Sequence, residues 1–347
     1  MNRTLTRYYV FFTLLLTISS LRAQDAQFSQ FYASSLYLNP ALAGLEQDLT
    51  FSANYRSQWQ SIVVPYLTNQ VSVIAPLWRE RIEPVHVGGI GFSVFNDRAG
   101  DGNLNTTGVN MTFAYDLLAR NQGMALVVAG QGGLVQRSLD MTNTEWGEQF
   151  NPFIGFDPSV PVNISMLNSR RTFADVAAGL MWAYNPLREA VRSPVSFYAG
   201  VAGSHLNSPD ESMRQGFSSS LPILLKAHTG ADFRVSDKLH LSPNLLWMQQ
   251  SELQQLNGGV YLRYQVVPHP FGLLGESEFM LGGWYRYGDA FIINTGLSTP
   301  AFTVGFSYDV NSSGLRYNTK GRGAYELSLT IRNFKEHRRK RFSTPRI

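Results

Sequence analysis

Leu49-Thr50-Phe51-Ser52-Ala53-Asn54-Tyr55 is apolar at every odd position and polar at every even one. Successive side chains of a strand point to opposite faces, so a period of two gives one oily and one wet surface. The pattern recurs in Val109, Met111, Phe113 and Tyr115, with Asn110, Thr112 and Asp116 opposite. It recurs again in Phe302, Val304, Phe306, Tyr308 and Val310, and in Tyr325, Leu327, Leu329 and Ile331. Fourteen such segments are expected, near 49–55, 70–77, 87–96, 106–117, 124–135, 172–184, 194–205, 222–235, 238–249, 254–266, 278–287, 290–298, 301–310 and 323–333. An even number of antiparallel strands of about ten residues is the signature of an all-β, transmembrane antiparallel barrel. A bilayer forces closure, because an open sheet edge finds no water there. A soluble β-sandwich shows the same alternation. The strand count, an export-like N-terminus and aromatics near segment ends (Tyr55, Tyr115, Tyr184, Tyr308), where interfacial girdles lie, favour the barrel. The apolar row then faces lipid and the polar row a wet lumen. Lys226, His228, Asp232 and Arg234 share one parity, opposite Ile223, Leu225, Ala227 and Phe233.

Residues 1–23 read as a signal peptide. Arg3 and Arg7 precede the apolar stretch Val10 to Leu16, and cleavage is expected near Ala23. No segment approaches the roughly 20 apolar residues of a spanning helix. The chain has no cysteine, which excludes disulfide frameworks and thiolate metal sites. Of its 29 Lys and Arg, three lie in the signal, leaving 26 against 25 acids. The segment 335–347 holds six bases, among them Lys335, Arg338, Arg339, Lys340 and Arg341, against Glu336 alone. The body is therefore mildly acidic and one end strongly basic. Binding of nucleic acid is not expected, since its basic stripe would have to run through the fold.

Outer-membrane barrels have short periplasmic turns and longer outward loops. With the first strand rising outward, the odd-ranked connections face outside, and 136–171 is the longest of them. It carries Trp146, Phe150, Phe153 and Phe156, an aromatic set that suggests an outward docking loop or, alternatively, a constriction folded into the pore. Both termini are then expected in the periplasm. Residues 24–48 form an N-terminal periplasmic or hatch segment before the barrel of 49–334. Phe28, Phe31, Tyr32 and Tyr37 supply bulk for a lumen too wide for wall side chains alone to fill. Pro40 stops a helix and restricts Asn39.

The stretch FSQFYASSLYLNPALAG at 28–44, then YRSQW at 55–59 (Tyr55, Arg56, Gln58, Trp59), then GGIGFSVFNDRAGDGN at 88–103 (with Asn96 and Asp97) resembles the PorP/SprF family of the type IX secretion system. The resemblance extends to about Phe334. Asn39-Pro40-Ala41 is also similar to the hatch of long-chain fatty acid transporters, which have fourteen-stranded barrels. The family resemblance implies an outer-membrane protein of protein secretion and gliding motility. Its implied partners are periplasmic ring subunits and secreted adhesins bearing a type B C-terminal domain, which it would dock or anchor. A terminal aromatic commonly closes the last strand of a barrel; Phe334 can serve here, though the basic tail follows it.

Catalytic chemistry finds little support. His86, His205, His228, His240, His269 and His337 are scattered, without zinc-ligand spacing. Asp97, Asp101, Asn103 and Asn105 imitate the start of a calcium loop, but its twelfth position is Thr112 and its glycine position is Thr106. No cofactor is expected. The readings carried forward are a secretion component that holds cargo and, as the alternative, a pore or transporter for small or hydrophobic molecules. A barrel hydrolase is the least favoured.

Overall fold

The alternating segments pair in chain order, each antiparallel to the next, and the first closes on the last. The computed structural model describes residues 25, 27–61, 64–79, 85–100, 104–119, 123–140, 146–161, 169–184, 195–266, 277–314 and 316–333. Its closed barrel has fourteen strands. They are β1 (Leu49–Gln58), β2 (Tyr66–Arg79), β3 (Val85–Ala99), β4 (Leu104–Asp116), β5 (Met124–Ser138), β8 (Arg170–Tyr184) and β9 (Val195–Ser204), followed by β10 (Leu224–Arg234), β11 (Leu239–Gln250), β12 (Leu253–Gln265), β13 (Glu278–Arg286), β14 (Ala290–Ser298), β15 (Phe302–Asn311) and β16 (Arg322–Asn333). A separate two-stranded ribbon, β6 (Phe150–Asn151) and β7 (Gly155–Phe156), lies in the connection between β5 and β8. Closure is made by ten residue pairs between β1 and β16, from Leu49↔Asn333 to Gln58↔Ala324. Among the described residues no helix is long and apolar enough to cross a membrane. The signal segment with Ala23, residue Phe334 and the basic tail from Lys335 lie outside the described residues.

Parity sorts the wall as alternation requires. Phe51, Phe92, Met111, Phe113, Leu134, Leu225, Ile293 and Leu327 are exposed on the outer face, while Thr50, Ser52, Asn54, Lys226, His228 and Ser328 are buried inside. Tyr55 and Tyr308 stand near one end of the outer face, and Tyr115 and Tyr184 near the other. Several strands run past the segments expected from alternation. β3 continues to Ala99, β5 to Ser138, and β8 begins at Arg170, because polar residues extend the ladders beyond the apolar band. The connection 139–169 is correspondingly shorter than expected, and its described part carries the ribbon.

Odd-ranked connections, including 59–65, 139–169, 205–223 and 312–321, gather at one end of the barrel, here called the loop mouth. Leu49 and Asn333 lie at the opposite mouth. Between the two runs the chain from Asp25 to Asp48. Asp25 N–H donates to Gln250 Oε1 at 3.2 Å, beside the β11–β12 turn at the loop mouth. Asn39 reaches Leu180 and Val201 midway along the wall, and Thr50 Oγ1 donates to Glu46 at 3.2 Å near the opposite mouth. Asp25 and Asn333 thus lie at opposite mouths. These two ends of the described chain do not share one side, because the N-terminal segment traverses the lumen; the termini themselves, expected in the periplasm, lie outside the described residues.

The lumen also holds apolar packing around the threading segment. Leu36, Ala41, Ala43 and Leu45 of the threading segment pack with Ile74, Ala114, Val127 and Met181 of the wall. Phe31 and Leu38 pack with Leu246, Tyr261, Met280 and Trp284. Inward-facing wall residues opposite the segment are apolar at these two clusters and polar where they bond it, as Glu326, His228 and Lys226 do.

A charge on the lipid face is costly near the bilayer midplane. Met111→Arg, at a side chain 63% exposed in the middle of the β4 apolar run, is expected to destabilise the barrel by about 2–4 kcal/mol. Met111→Leu should leave the unfolding midpoint in liposomes near wild type. Urea titration read by tryptophan fluorescence checks both.

Candidate functional site in the lumen

The threading segment is shaped by its own sequence. Asn39 is extended (φ −155°, ψ 118°), as a residue before proline must be. Pro40 opens a 3-10 turn, Pro40–Gly44, at the position where a missing N–H costs nothing. Asn39 Oδ1 caps that turn by accepting from Ala41 N–H at 2.9 Å. Its Nδ2 donates to the carbonyls of Leu180 (3.1 Å) and Val201 (3.3 Å) and lies 3.1 Å from His228 Nε2. The two hydrogens of that amide thus face three acceptors, His228 Nε2 being the third. One buried carboxamide therefore joins the turn to β8, β9 and β10. The wall leaves room for it at Gly179, where a Cβ would collide with Asn39 Oδ1.

Nearer the loop mouth the segment is held by charge. Arg56 lies 3.0 Å from Asp309 and 3.4 Å from Glu326, and Arg286 lies 3.2 Å from Asp309. Arg56 and Glu326 face each other across the β1–β16 closure. These two cations and two anions are all at most 4% exposed. Ser29 sits among them: its hydroxyl donates to Asp309 at 2.8 Å and accepts from Arg286 at 2.9 Å and from Arg56. Glu326 accepts the backbone N–H groups of Ser29 (2.7 Å) and Gln30 (3.1 Å), giving partners to a stretch with no regular structure of its own. Gln30 Nε2 donates to Glu326 O at 3.0 Å, and Ser328 Oγ donates to Gln30 Oε1 at 2.7 Å. Removing one member of a buried, charge-balanced set leaves the others uncompensated.

At the loop mouth itself His205 bridges Asp25 (2.5 Å) and Asp175 (2.9 Å). Burial alone would lower its pKa, but the hydrogen bonds and charges of Asp175 and Asp25 outweigh it and raise it to about 9. Lys226 Nζ donates to Tyr37 O at 2.5 Å and lies 4.4 Å from the Tyr37 ring centroid. The connection 205–223 folds back over this region. Asp210 pairs with Arg171 at 2.8 Å, Glu211 pairs with Arg137, and Leu221 packs on Val135 and Phe173.

The residues singled out by sequence fall into two groups. Phe28, Phe31, Tyr32, Tyr37, Asn39 and Pro40 all lie inside the barrel. Phe28 meets Tyr37 edge-on at 5.5 Å, Phe31 meets Trp284 at 5.2 Å, and the Tyr32 and Tyr261 hydroxyls are in contact. Of the motif residues, Arg56 joins the charge cluster, and Asp97 accepts from Thr68 Oγ1 at 2.6 Å. Tyr55 and Asn96 are on the outer face, Gln58 ends β1, and Trp59, at φ 57°, stacks edge-on against Tyr66 at 4.9 Å. Phe150, Phe153 and Phe156 are exposed on the ribbon, Phe153 by 94%. Trp146 is half-buried beside it. Sequence reading missed Ser29, Asp309 and Glu326 as partners of Arg56, and Arg286 as the second cation on Asp309; the inward parity of Arg286, Asp309 and Glu326 was visible, but not their convergence. His228, grouped with Asp232 by parity, bonds Asn39 instead, while Asp232 pairs with Arg263 and His240. Among the described residues no group of three or more His, Asp or Glu is arranged to hold a metal.

Two outcomes follow for the clamp. Arg56→Ala is expected to cost about 3–5 kcal/mol in unfolding titrations, because Glu326 then loses its cation and Asp309 keeps only Arg286, which also pairs with Asp289. The His205 bridge contributes fully below the ordinary histidine pKa of 6.5 and is lost as pH rises through about 9. A spin label at Gln27→Cys should gain mobility above that pH, and His205→Gln should make the profile flat.

Comparison with known proteins places this geometry. The model of the type IX secretion system membrane protein PorP/SprF matches residues 20–331. No curated protein matches the chain. Among solved structures, the toluene transporter TbuX of Ralstonia pickettii is similar at 11% identity and a TM-score of 0.48, over 87% of this chain and 94% of that one. The CymD monoaromatic hydrocarbon channel is similar at 12% identity and a TM-score of 0.47, over 88% and 94%. Given the fourteen-strand closed barrel and the family match across nearly its whole length, the chain belongs to the PorP/SprF family of type IX secretion system membrane proteins.

Proposed function

We propose that this outer-membrane barrel acts as a docking station rather than a conduit. In this reading residues 24–48 are a hatch that keeps the lumen shut, and the loop mouth faces outward and holds secreted cargo. That cargo is an adhesin-like protein with a type B C-terminal domain. The opposite mouth and the basic tail meet periplasmic ring subunits. The observation that carries the proposal is the filled lumen: Phe31, Leu38 and Ser29 are packed into the wall, so function falls to the surfaces at the mouths. Long connections gathered at one mouth support its outward orientation. Phe150, Phe153, Ile154 and Phe156 present an apolar surface on the ribbon, of the kind that marks a protein contact. Lys335, Arg338, Arg339, Lys340 and Arg341 offer a charge attraction for an acidic partner surface.

Replacing Phe150, Phe153 and Phe156 together by serine is expected to release the adhesin from the cell surface while the barrel remains in the outer membrane. Retention of the adhesin by that variant would overturn the docking role of the ribbon. Truncation of 335–347 should weaken capture of ring subunits at low salt, and undiminished capture would remove the tail from the interface.

A second reading, passage of small apolar molecules, is favoured by one observation. A pocket lies between the threading segment and the wall, lined in part by Phe28, Phe31, Leu38, Leu224, Leu246 and Leu253. Deleting 24–48 should raise single-channel conductance in planar bilayers if the segment is a hatch. Loss of solute uptake with adhesin attachment intact, after the loop substitution, would favour transport.

A further inference from the structure

The outer wall changes character along β3, β4, β5 and β8. Val94, Val109, Leu134 and Ala174 pair across these strands as an apolar row. Two residues farther toward the loop mouth the row is Asn96, Thr107, Gln136 and Thr172. Two residues farther again it is Arg98, Asn105, Ser138 and Arg170, in register across the same four strands. Elsewhere around this mouth, on β13 to β16 and β1, the outer face ends in aromatics such as Tyr285, Phe291, Tyr325 and Tyr55.

A strand rises about 3.3 Å per residue and tilts by roughly 45° in a membrane, so four residues carry the arginines about 9 Å beyond the last apolar row. The headgroup layer beyond the hydrocarbon is roughly 5–8 Å thick, which puts them at the level of lipid phosphates. With Leu139, Asp140 and Ser169 the four residues line an open cleft of about 500 Å³. Arg98 and Arg170 are both exposed. Among the described lining residues two guanidinium groups stand against one carboxylate. Arg170 has no ion-pair partner among the described residues. Asn105 Oδ1 accepts from Asn96 Nδ2 at 2.6 Å, which leaves the Asn105 Nδ2 group as a donor. The guanidinium fork matches phosphate oxygens in pairs, and basic pockets beside an apolar membrane face take lipid headgroups.

We propose that this cleft binds the phosphorylated headgroup of a lipid in the leaflet that abuts the loop mouth. Arg98 and Arg170 clasp the phosphate oxygens, Asn105 Nδ2 and Ser138 Oγ donate to them, and the acyl chains lie along Val94, Val109 and Leu134. The site is independent of the lumen and of cargo docking. It fixes how deep this sector of the barrel sits, beside the strands that carry the ribbon.

The test uses the purified full-length protein in neutral detergent, with native mass spectrometry of bound lipid. Phosphatidic acid and diacylglycerol of the same chains differ only in the phosphate. Wild type is expected to retain phosphatidic acid about tenfold more strongly than diacylglycerol, and Arg98→Gln/Arg170→Gln is expected to abolish that preference. Heat-dependent gel mobility confirms that the variant is a folded barrel. Equal retention of the two lipids by wild type, or an unchanged preference in the variant, overturns the proposal. Displacement of phosphatidic acid by equimolar inorganic phosphate assigns the cleft to a free anion and overturns the lipid assignment.

Discussion

Every backbone N–H and C=O within the hydrocarbon must find a partner in the protein, because lipid offers none. That requirement closes the sheet, and here it does so through the β1–β16 ladder from Leu49 to Gln58. Fourteen strands make a cylinder wider than its own inward side chains can fill. The lumen must then hold water or chain. In this protein it holds chain, and the interior differs accordingly from the polar channel of an open pore.

The threading segment has little regular structure, only a four-residue helix at Ser35–Leu38 and the turn Pro40–Gly44. Its order comes from the wall. Apolar side chains fill two clusters on opposite sides of the lumen. Polar side chains of the wall act as partners for its backbone, as Glu326 does for Ser29 and Gln30. Asn39 does the reverse, bonding wall carbonyls from within.

Much of this was legible in the sequence. Period-two alternation is a local signal, so all fourteen strands could be marked without knowing the fold, and closure followed from the bilayer, which offers an open edge no partner. The reach of β3 and β8 past the apolar band was not legible, since polar ladders there lose the alternation that marks a strand. The path of the N-terminal segment was also hidden. Its contacts join residues up to 298 positions apart, as between Gln30 and Ser328, and no local period encodes that. In hindsight the run Gly88-Gly89-Ile90-Gly91 carried a signal. A Cβ at Gly89 would meet Ala43 O, and one at Gly91 would meet Leu36, so the wall is bare where the segment passes.

The position of the charge cluster has a bearing on how the molecule comes together. Arg56 belongs to the first strand and Glu326 to the last, and they become neighbours only when those strands zip. Before that moment the receptor for Ser29 does not exist as a unit. Sealing the wall therefore completes the set of groups that holds Ser29. A nascent cylinder that has not swallowed its own beginning would carry that pair across its join with the hydroxyl and amides of Ser29 and Gln30 missing from it.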